Sequence, residues 1–134
     1  MKSHLGHVQI YIDYDNKEFY GDLMGLLGWS VFHEEEWETG YRSGQNGDVW
    51  IAAAAKEGQT DHDAIGVNHI AVQVETMDDI ETVGTFLKER NVPVLFGTPR
   101  HRPEFAPEGQ TYYQIDFESL DKILFEVVYI GPKH

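Results

Sequence analysis

The chain predicts an α+β fold built from two copies of one unit, a strand, a helix and three further strands. Two segments carry the expectation. His7-Val8-Gln9-Ile10-Tyr11-Ile12 and His69-Ile70-Ala71-Val72-Gln73-Val74 each open on histidine and then alternate apolar with polar or small residues. Each is followed by a helical pattern and then by β-rich stretches. Side chains in a strand alternate faces, so Val8, Ile10 and Ile12 share one face while His7, Gln9 and Tyr11 share the other. The parity recurs with Ile70, Val72 and Val74 against His69, Ala71 and Gln73. An apolar face asks for a covering helix, and a face bearing imidazole and amides asks for a polar cavity.

The elements follow in order. Asp15-x-x-Glu18 has the spacing of a capping box, and Phe19, Leu23 and Leu26/Leu27 recur at helical intervals until Gly28 stops the helix. Trp29 to Glu36, the stretch around Trp37 to Tyr41, and Val49 to Ala55 read as strands, with Ser43 to Asp48 as a turn. A polar connection from Lys56 to Ala64 leads to the second copy. There Thr76-x-x-Asp79 starts a helix whose buried stripe is Ile80, Val83 and Leu87, ending before Asn91. Val92 to Phe96, Tyr112 to Phe117 and Lys122 to Val128 complete it as strands. Gly97 to Thr111 reads as a long loop of the kind kept for function.

Composition narrows the classes. At 134 residues, 41% hydrophobic and 25% charged, the chain has the make-up of one globular domain. No apolar run approaches the roughly 20 residues needed to span a bilayer, and the first strand begins too early for a secretion signal, so a cytoplasmic location is expected. A formal charge of −13 disfavours nucleic acid and anionic membrane as partners and promotes solubility. With no cysteine, any metal must be held by nitrogen and oxygen.

Glu126 interrupts the apolar run Ile123-Leu124-Phe125-Glu126-Val127-Val128. A carboxylate inside a sheet needs a cation, a metal or a hydrogen-bonding partner, unless it stands at an edge in water. Two histidines at matching positions of duplicated strands, plus this carboxylate, make a nitrogen and oxygen set suited to a divalent transition metal. Three protein ligands leave positions open for substrate or water. Trp50, Ala52 and Ala54 share a face, where alanine either leaves room for substrate or permits close sheet packing. Arg100-His101-Arg102, between Pro99 and Pro103, either binds an anionic group or is solvated surface charge. Of the adjacent Tyr112 and Tyr113 only one can face inward. His62, between Asp61 and Asp63 in a turn-rich linker, is expected to be exposed.

At this point the chain resembles the vicinal oxygen chelate superfamily, which includes glyoxalase I, extradiol dioxygenases, fosfomycin-inactivating thiol transferases, methylmalonyl-CoA epimerase and bleomycin-binding proteins. The resemblance rests on the repeated unit, on His7, His69 and Glu126, and on Ser119-Leu120-Asp121-Lys122-Ile123-Leu124-Phe125-Glu126, which is similar to the family's Asp-Pro-Asp-Gly turn and ligand strand. Gly66-Val67-Asn68-His69-Ile70-Ala71 and Leu26-Leu27-Gly28-Trp29 are also family-like. Leu120 and Lys122 depart from the family's proline and glycine. The resemblance implies one domain over residues 1–134, with βαβββ modules at about 5–56 and 66–131. These would form a curved mixed sheet around a metal-binding cavity, with the helices on the convex side.

Laying Asp48 to Ala52 beside Lys122 to Glu126 sets Ala52 at the place of a fourth ligand, where glyoxalase I and the epimerase have Glu or Gln. The resemblance then implies His7, His69 and Glu126 as ligands of one divalent ion, Fe2+, Mn2+, Ni2+ or Zn2+. Glu126, Tyr113 and His101 are the expected catalytic residues, and Gln9, Trp50, Ala52, Arg100, Arg102 and Tyr112 the substrate pocket. The implied activity is that of a lyase, dioxygenase or thiol transferase in which the ion chelates vicinal oxygens of a small molecule. The alternative is a metal-free drug-sequestering protein of the bleomycin-resistance kind, which the acidity favours. A homodimer is expected in either case.

Overall fold

The computed structural model describes residues 1–44 and 47–133. Gln45 and Asn46, within the expected turn from Ser43 to Asp48, lie outside the described residues. The chain divides into two compact units, Met1–Gly58 and Gln59–His134.

The first unit runs β1 (His7–Ile12), α1 (Lys17–Leu26), β2 (Ser30–Glu35), β3 (Glu38–Arg42) and β4 (Asp48–Ala53). Its sheet has the order β1-β4-β3-β2, with β1 parallel to β4 and the other pairs antiparallel. The parity read from the sequence is present: Ile10 and Ile12 are buried while His7, Gln9 and Tyr11 are exposed. Helix α1 covers the apolar face with Phe19, Tyr20, Leu23 and Met24, and the Tyr41 hydroxyl lies against Gly21. The expected capping box does not form. Asp13, directly after β1, accepts from the Asp15 amide at 3.1 Å and starts a 3-10 turn over Tyr14–Asn16, so α1 begins two residues later. At the other end Gly28 adopts φ +85°, a conformation glycine takes without penalty.

The second unit repeats the plan with β5 (Ile70–Val74), α2 (Met77–Glu89), β6 (Val94–His101), β7 (Thr111–Glu118) and β8 (Leu124–Gly131), in the order β5-β8-β7-β6. Here the capping box does form. Asp79 N–H donates to Thr76 Oγ1 and Thr76 N–H to Asp79 Oδ2, both at 3.1 Å. Ile80, Val83, Phe86 and Leu87 of α2 are buried, and Gly84 lies against Ile115 of β7. Odd-numbered residues of β7 and β8 therefore face the helix, and even-numbered ones, including Glu126, face the other way.

Two local expectations change. The stretch expected as a loop from Gly97 rejoins the sheet, because Phe96 and Gly97 at φ +58° and +69° fold the excess residues into an irregularity between Leu95 and Arg100. Strand β6 is an edge, so Pro99, which has no amide proton, costs no ladder bond. The turn before β8 is the second. Lys122 takes φ +63°, the left-handed conformation that a glycine favours, and is held there by its amide donating to Ser119 O at 2.9 Å.

The substitution Thr76→Ala removes the side-chain half of the α2 cap and should lower stability by about 1 kcal/mol. Urea unfolding followed by circular dichroism measures it.

Candidate metal centre

Glu126 lies on β8, an interior strand flanked by β5 and β7, and is 6% exposed. Such a carboxylate must be satisfied by side chains on its own face. Three reach it. Tyr112 donates its phenol to Glu126 Oε2 at 2.8 Å, His69 places Nε2 3.8 Å from the same oxygen, and Asp116 is paired directly across from it on β7. Burial, and then the Glu126 hydrogen bond, push the Tyr112 phenol far above its ordinary value, so it remains a neutral donor.

His69 has a defined ring orientation. Asn68 Nδ2 donates to His62 O at 2.7 Å, which turns Asn68 Oδ1 toward His69 Nδ1 at 2.8 Å. An amide oxygen only accepts, so Nδ1 donates to it and Nε2 is the ring atom turned to the side of Glu126. The Asn68 contact is the kind of outer hydrogen bond that orients a ligand histidine.

Asp116 is also 6% exposed. It accepts from Gln114 Nε2 at 2.7 Å through Oδ2, while Oδ1 is buried without a hydrogen-bond partner. Burial, followed by the Glu126 charge, raises its carboxyl above the ordinary value. Two carboxylates facing each other in a buried position create a local demand for positive charge, which an ion, a cationic ligand or a shared proton would meet.

The structure sorts the remaining candidates by parity. Arg100 pairs with Gln114, and Arg102 donates its amide to Tyr112 O at 2.6 Å, so both arginines share the Glu126 face. Arg102 is held by Glu104 at 2.6 Å and lies over the Phe105 ring, which in turn packs on Tyr112 at 5.7 Å. His101 and Tyr113 point the opposite way. Their rings meet at 4.5 Å, Tyr113 donates to Glu81 of α2 at 2.6 Å, and His101 Nδ1 is 2.7 Å from Thr111 Oγ1. Burial, then the Glu81 bond, pushes the Tyr113 phenol up to about 12, and burial lowers His101. The catalytic roles expected for Tyr113 and His101 do not fit this placement, because an even-numbered ligand strand position and an odd-numbered tyrosine occupy opposite faces.

In the first unit His7 is exposed at the start of β1, directly paired with Asp48. A bidentate contact from Arg42, 3.0 Å in both bonds, holds the Asp48 carboxyl below its ordinary value. Gln9 is exposed on the same face, Trp50 is half-buried and Ala52 is buried. The position equivalent to Glu126 changes. Glu126 pairs with Ala71, two residues beyond His69, and the residue that pairs with Gln9, two beyond His7, is Trp50 rather than Ala52. Asp48 pairs with His7, so its counterpart beside His69 is Leu124, two residues beyond the Lys122 against which the sequence pattern sets it. Tryptophan is no more a ligand than alanine.

His62, expected to be exposed, has a side chain only 16% exposed, with Nε2 3.6 Å from Glu118 Oε2 on the Glu126 face. Asn68, Gln114 and Asp116 escaped the sequence reading altogether. For the last two the signal was there, since they share parity with Tyr112.

Residues 4–127 match the family model described as Glyoxalase/Bleomycin resistance protein/Dioxygenase superfamily. Among curated proteins none matches. Similar solved structures include a glyoxalase/bleomycin resistance protein from Albidiferax ferrireducens T118 (TM-score 0.75, 14% identity, covering 93% of this chain and 98% of that one). Another is the genomically encoded fosfomycin resistance protein FosX from Listeria monocytogenes (TM-score 0.64, 21% identity, 96% and 94%). A third is a glyoxalase/bleomycin resistance protein/dioxygenase from Alicyclobacillus acidocaldarius (TM-score 0.61, 12% identity, 93% and 89%). At these identities the likeness is one of fold.

Because the native Asp116 carboxyl titrates above its unfolded value, protonation favours the folded chain, and stability should fall as pH rises through that window. Asp116→Asn is expected to remove the decline, gaining on the parent chain as pH rises above the ordinary carboxylate range. Urea midpoints of chelator-treated protein across that rise provide the check.

Proposed function

Since the chain belongs to the glyoxalase/bleomycin resistance/dioxygenase superfamily, we propose that it is a metal-dependent enzyme whose ion is held by His7, His69 and Glu126. The observation that supports this most is the Asn68-His69 contact, which turns Nε2 toward a buried carboxylate. The donor chemistry fits a divalent transition ion, with two neutral imidazoles and one carboxylate. Bound there, the ion supplies Lewis acidity toward two neighbouring oxygens of a small-molecule substrate. Tyr112 fixes the Glu126 carboxylate through its hydrogen bond, and Asn68 fixes the His69 ring. Arg100 and Arg102 would receive an anionic substituent of the substrate. A lyase, dioxygenase or thiol transferase is compatible with this set, and a thiol transferase would need an external thiol because the chain has no cysteine.

The second reading, a metal-free binder of a cationic drug, draws on the buried Glu126 and Asp116 pair and the charge of −13. Equilibrium dialysis against Ni2+ separates the two. Glu126→Gln and His69→Ala should each lose one bound equivalent relative to the parent chain, and Asn68→Ala should weaken that equivalent by about 10- to 100-fold. Affinity should fall toward acid pH, where the ligands must release protons to bind. Metal content unchanged by both ligand substitutions would sink the enzyme reading.

A homodimer belongs to the same proposal, supported by the exposed apolar side chains Ile65, Val67 and Phe96. Light scattering should return twice the 15.3 kDa chain mass, and the monomer mass would remove it.

A further inference from the structure

The first unit carries a second set of metal-competent side chains that the reading above leaves unused. Among the described residues, His33, Glu35 and Glu38 are a group whose ligand atoms all lie within 4.8 Å of one another. Glu35 and Glu38 flank the two-residue turn Glu36-Trp37 and are paired directly across the β2–β3 hairpin. Like charges directly opposite destabilise a strand pair, so this register calls for a compensating cation.

His33 completes the group. Its Nε2 is 3.1 Å from Glu35 Oε1 and 3.6 Å from Glu38 Oε1, yet the atom is buried and has no hydrogen-bond partner. The contacts are close without being aligned as hydrogen bonds. Donors at these ion-pair distances also lie close enough together to share one metal ion. Ligand atoms about 2.0–2.1 Å from a tetrahedral ion stand about 3.3 Å apart, and neighbouring donors of an octahedral ion about 3.0 Å apart. The imidazole is already oriented, its ring packed on Trp50 at 5.1 Å opposite Gly40. A Cβ at position 40 would approach Trp50 to 3.3 Å and Phe32 to 2.9 Å, so glycine is what lets both rings settle over the strand.

We propose that His33, Glu35 and Glu38 form a second divalent-cation site, taking an ion of the zinc class and clipping the β2–β3 hairpin. One imidazole and two carboxylates suit Zn2+, Co2+ or Ni2+. The site is separate from His7. Strands β1 and β2 are opposite edges of one sheet, three strand spacings or about 14 Å apart, so no single ion is shared. The repulsion between Glu35 and Glu38 becomes, with the ion present, a chelate.

Cobalt titration of the full chain tests this, followed by visible absorption and by tryptophan fluorescence. One equivalent should quench the emission of Trp50, and Trp50→Phe should remove that component while leaving the equivalent bound. His33→Ala and Glu38→Gln should each weaken this equivalent by more than about tenfold, since even outer-shell changes cost that much. Glu126→Gln should leave the quenching intact, which keeps the outcome independent of the other site. Glu35 is 63% exposed, so Glu35→Gln serves as a fold-neutral variant with the same expected loss if circular dichroism shows that His33→Ala unfolds. Absence of a quenching equivalent, or affinity unchanged by the ligand substitutions, overturns the proposal.

Discussion

Glu126 stands on an interior strand whose neighbours on both sides have taken up its backbone hydrogen bonds, so its carboxylate can be satisfied only by side chains projecting from the same face. Much of the second unit is arranged around that requirement. Tyr112 gives one hydrogen bond, and the parity that brings Tyr112 to the face also brings Gln114 and Asp116. Asp116 worsens the electrostatics, since burial and the Glu126 charge both oppose its ionisation. Its second oxygen lacks a hydrogen-bond partner, and Gln114 is committed to the first. On the segment leading into β5, Asn68 accepts from His69 Nδ1 and so turns Nε2 toward Glu126. An outer hydrogen bond that orients an imidazole in this way is of the kind that supports ligand histidines.

The two units share a plan and differ in what they place on their polar faces. Where β8 carries Glu126, β4 carries Trp50. The neighbour across from Glu126 is the acidic Asp116, whereas the neighbour across from Trp50 is Gly40. A large ring and a missing Cβ have replaced a pair of carboxylates, and the acidic groups of the first unit appear one pair further along, at Glu38 and Glu35. Duplication preserved the backbone and redistributed the charge.

Most of the element pattern was legible because strand parity and helix periodicity are local properties. The alternation after His7 and His69 and the Thr76-x-x-Asp79 cap need only a few neighbouring residues to be read, and the structure contains them. Register was not legible in the same way. Which of Tyr112 and Tyr113 joins Glu126, and whether Trp50 or Ala52 is its counterpart, depends on pairing with a strand far away in sequence. The expected cap of the first helix failed for a local reason, because Asp13 competes with Asp15 for the role of cap and lies nearer the strand. Lys122 shows the opposite case. A residue that disfavours the left-handed conformation is held in it by the bonds of Ser119, so the turn survives a change in its composition.

The histidine strands, β1 with His7 and β5 with His69 directly before it, are joined to their units by parallel pairing, His7 to Asp48 and Ile70 to Phe125, with the rest of each unit lying between the partners in sequence. Parallel pairing cannot be closed by a tight turn, so the entropy of a long loop is paid before the contact rewards it. Hairpins β2–β3 and β7–β8 can form early and locally; the histidine strands dock onto an edge that exists only once the last strand of the unit has been made. During synthesis, His69 therefore has no seat until the chain has grown past Phe125, and Glu126 follows in the next residue. Coordination at these positions is a late event, available to the completed unit and to none of its folding precursors.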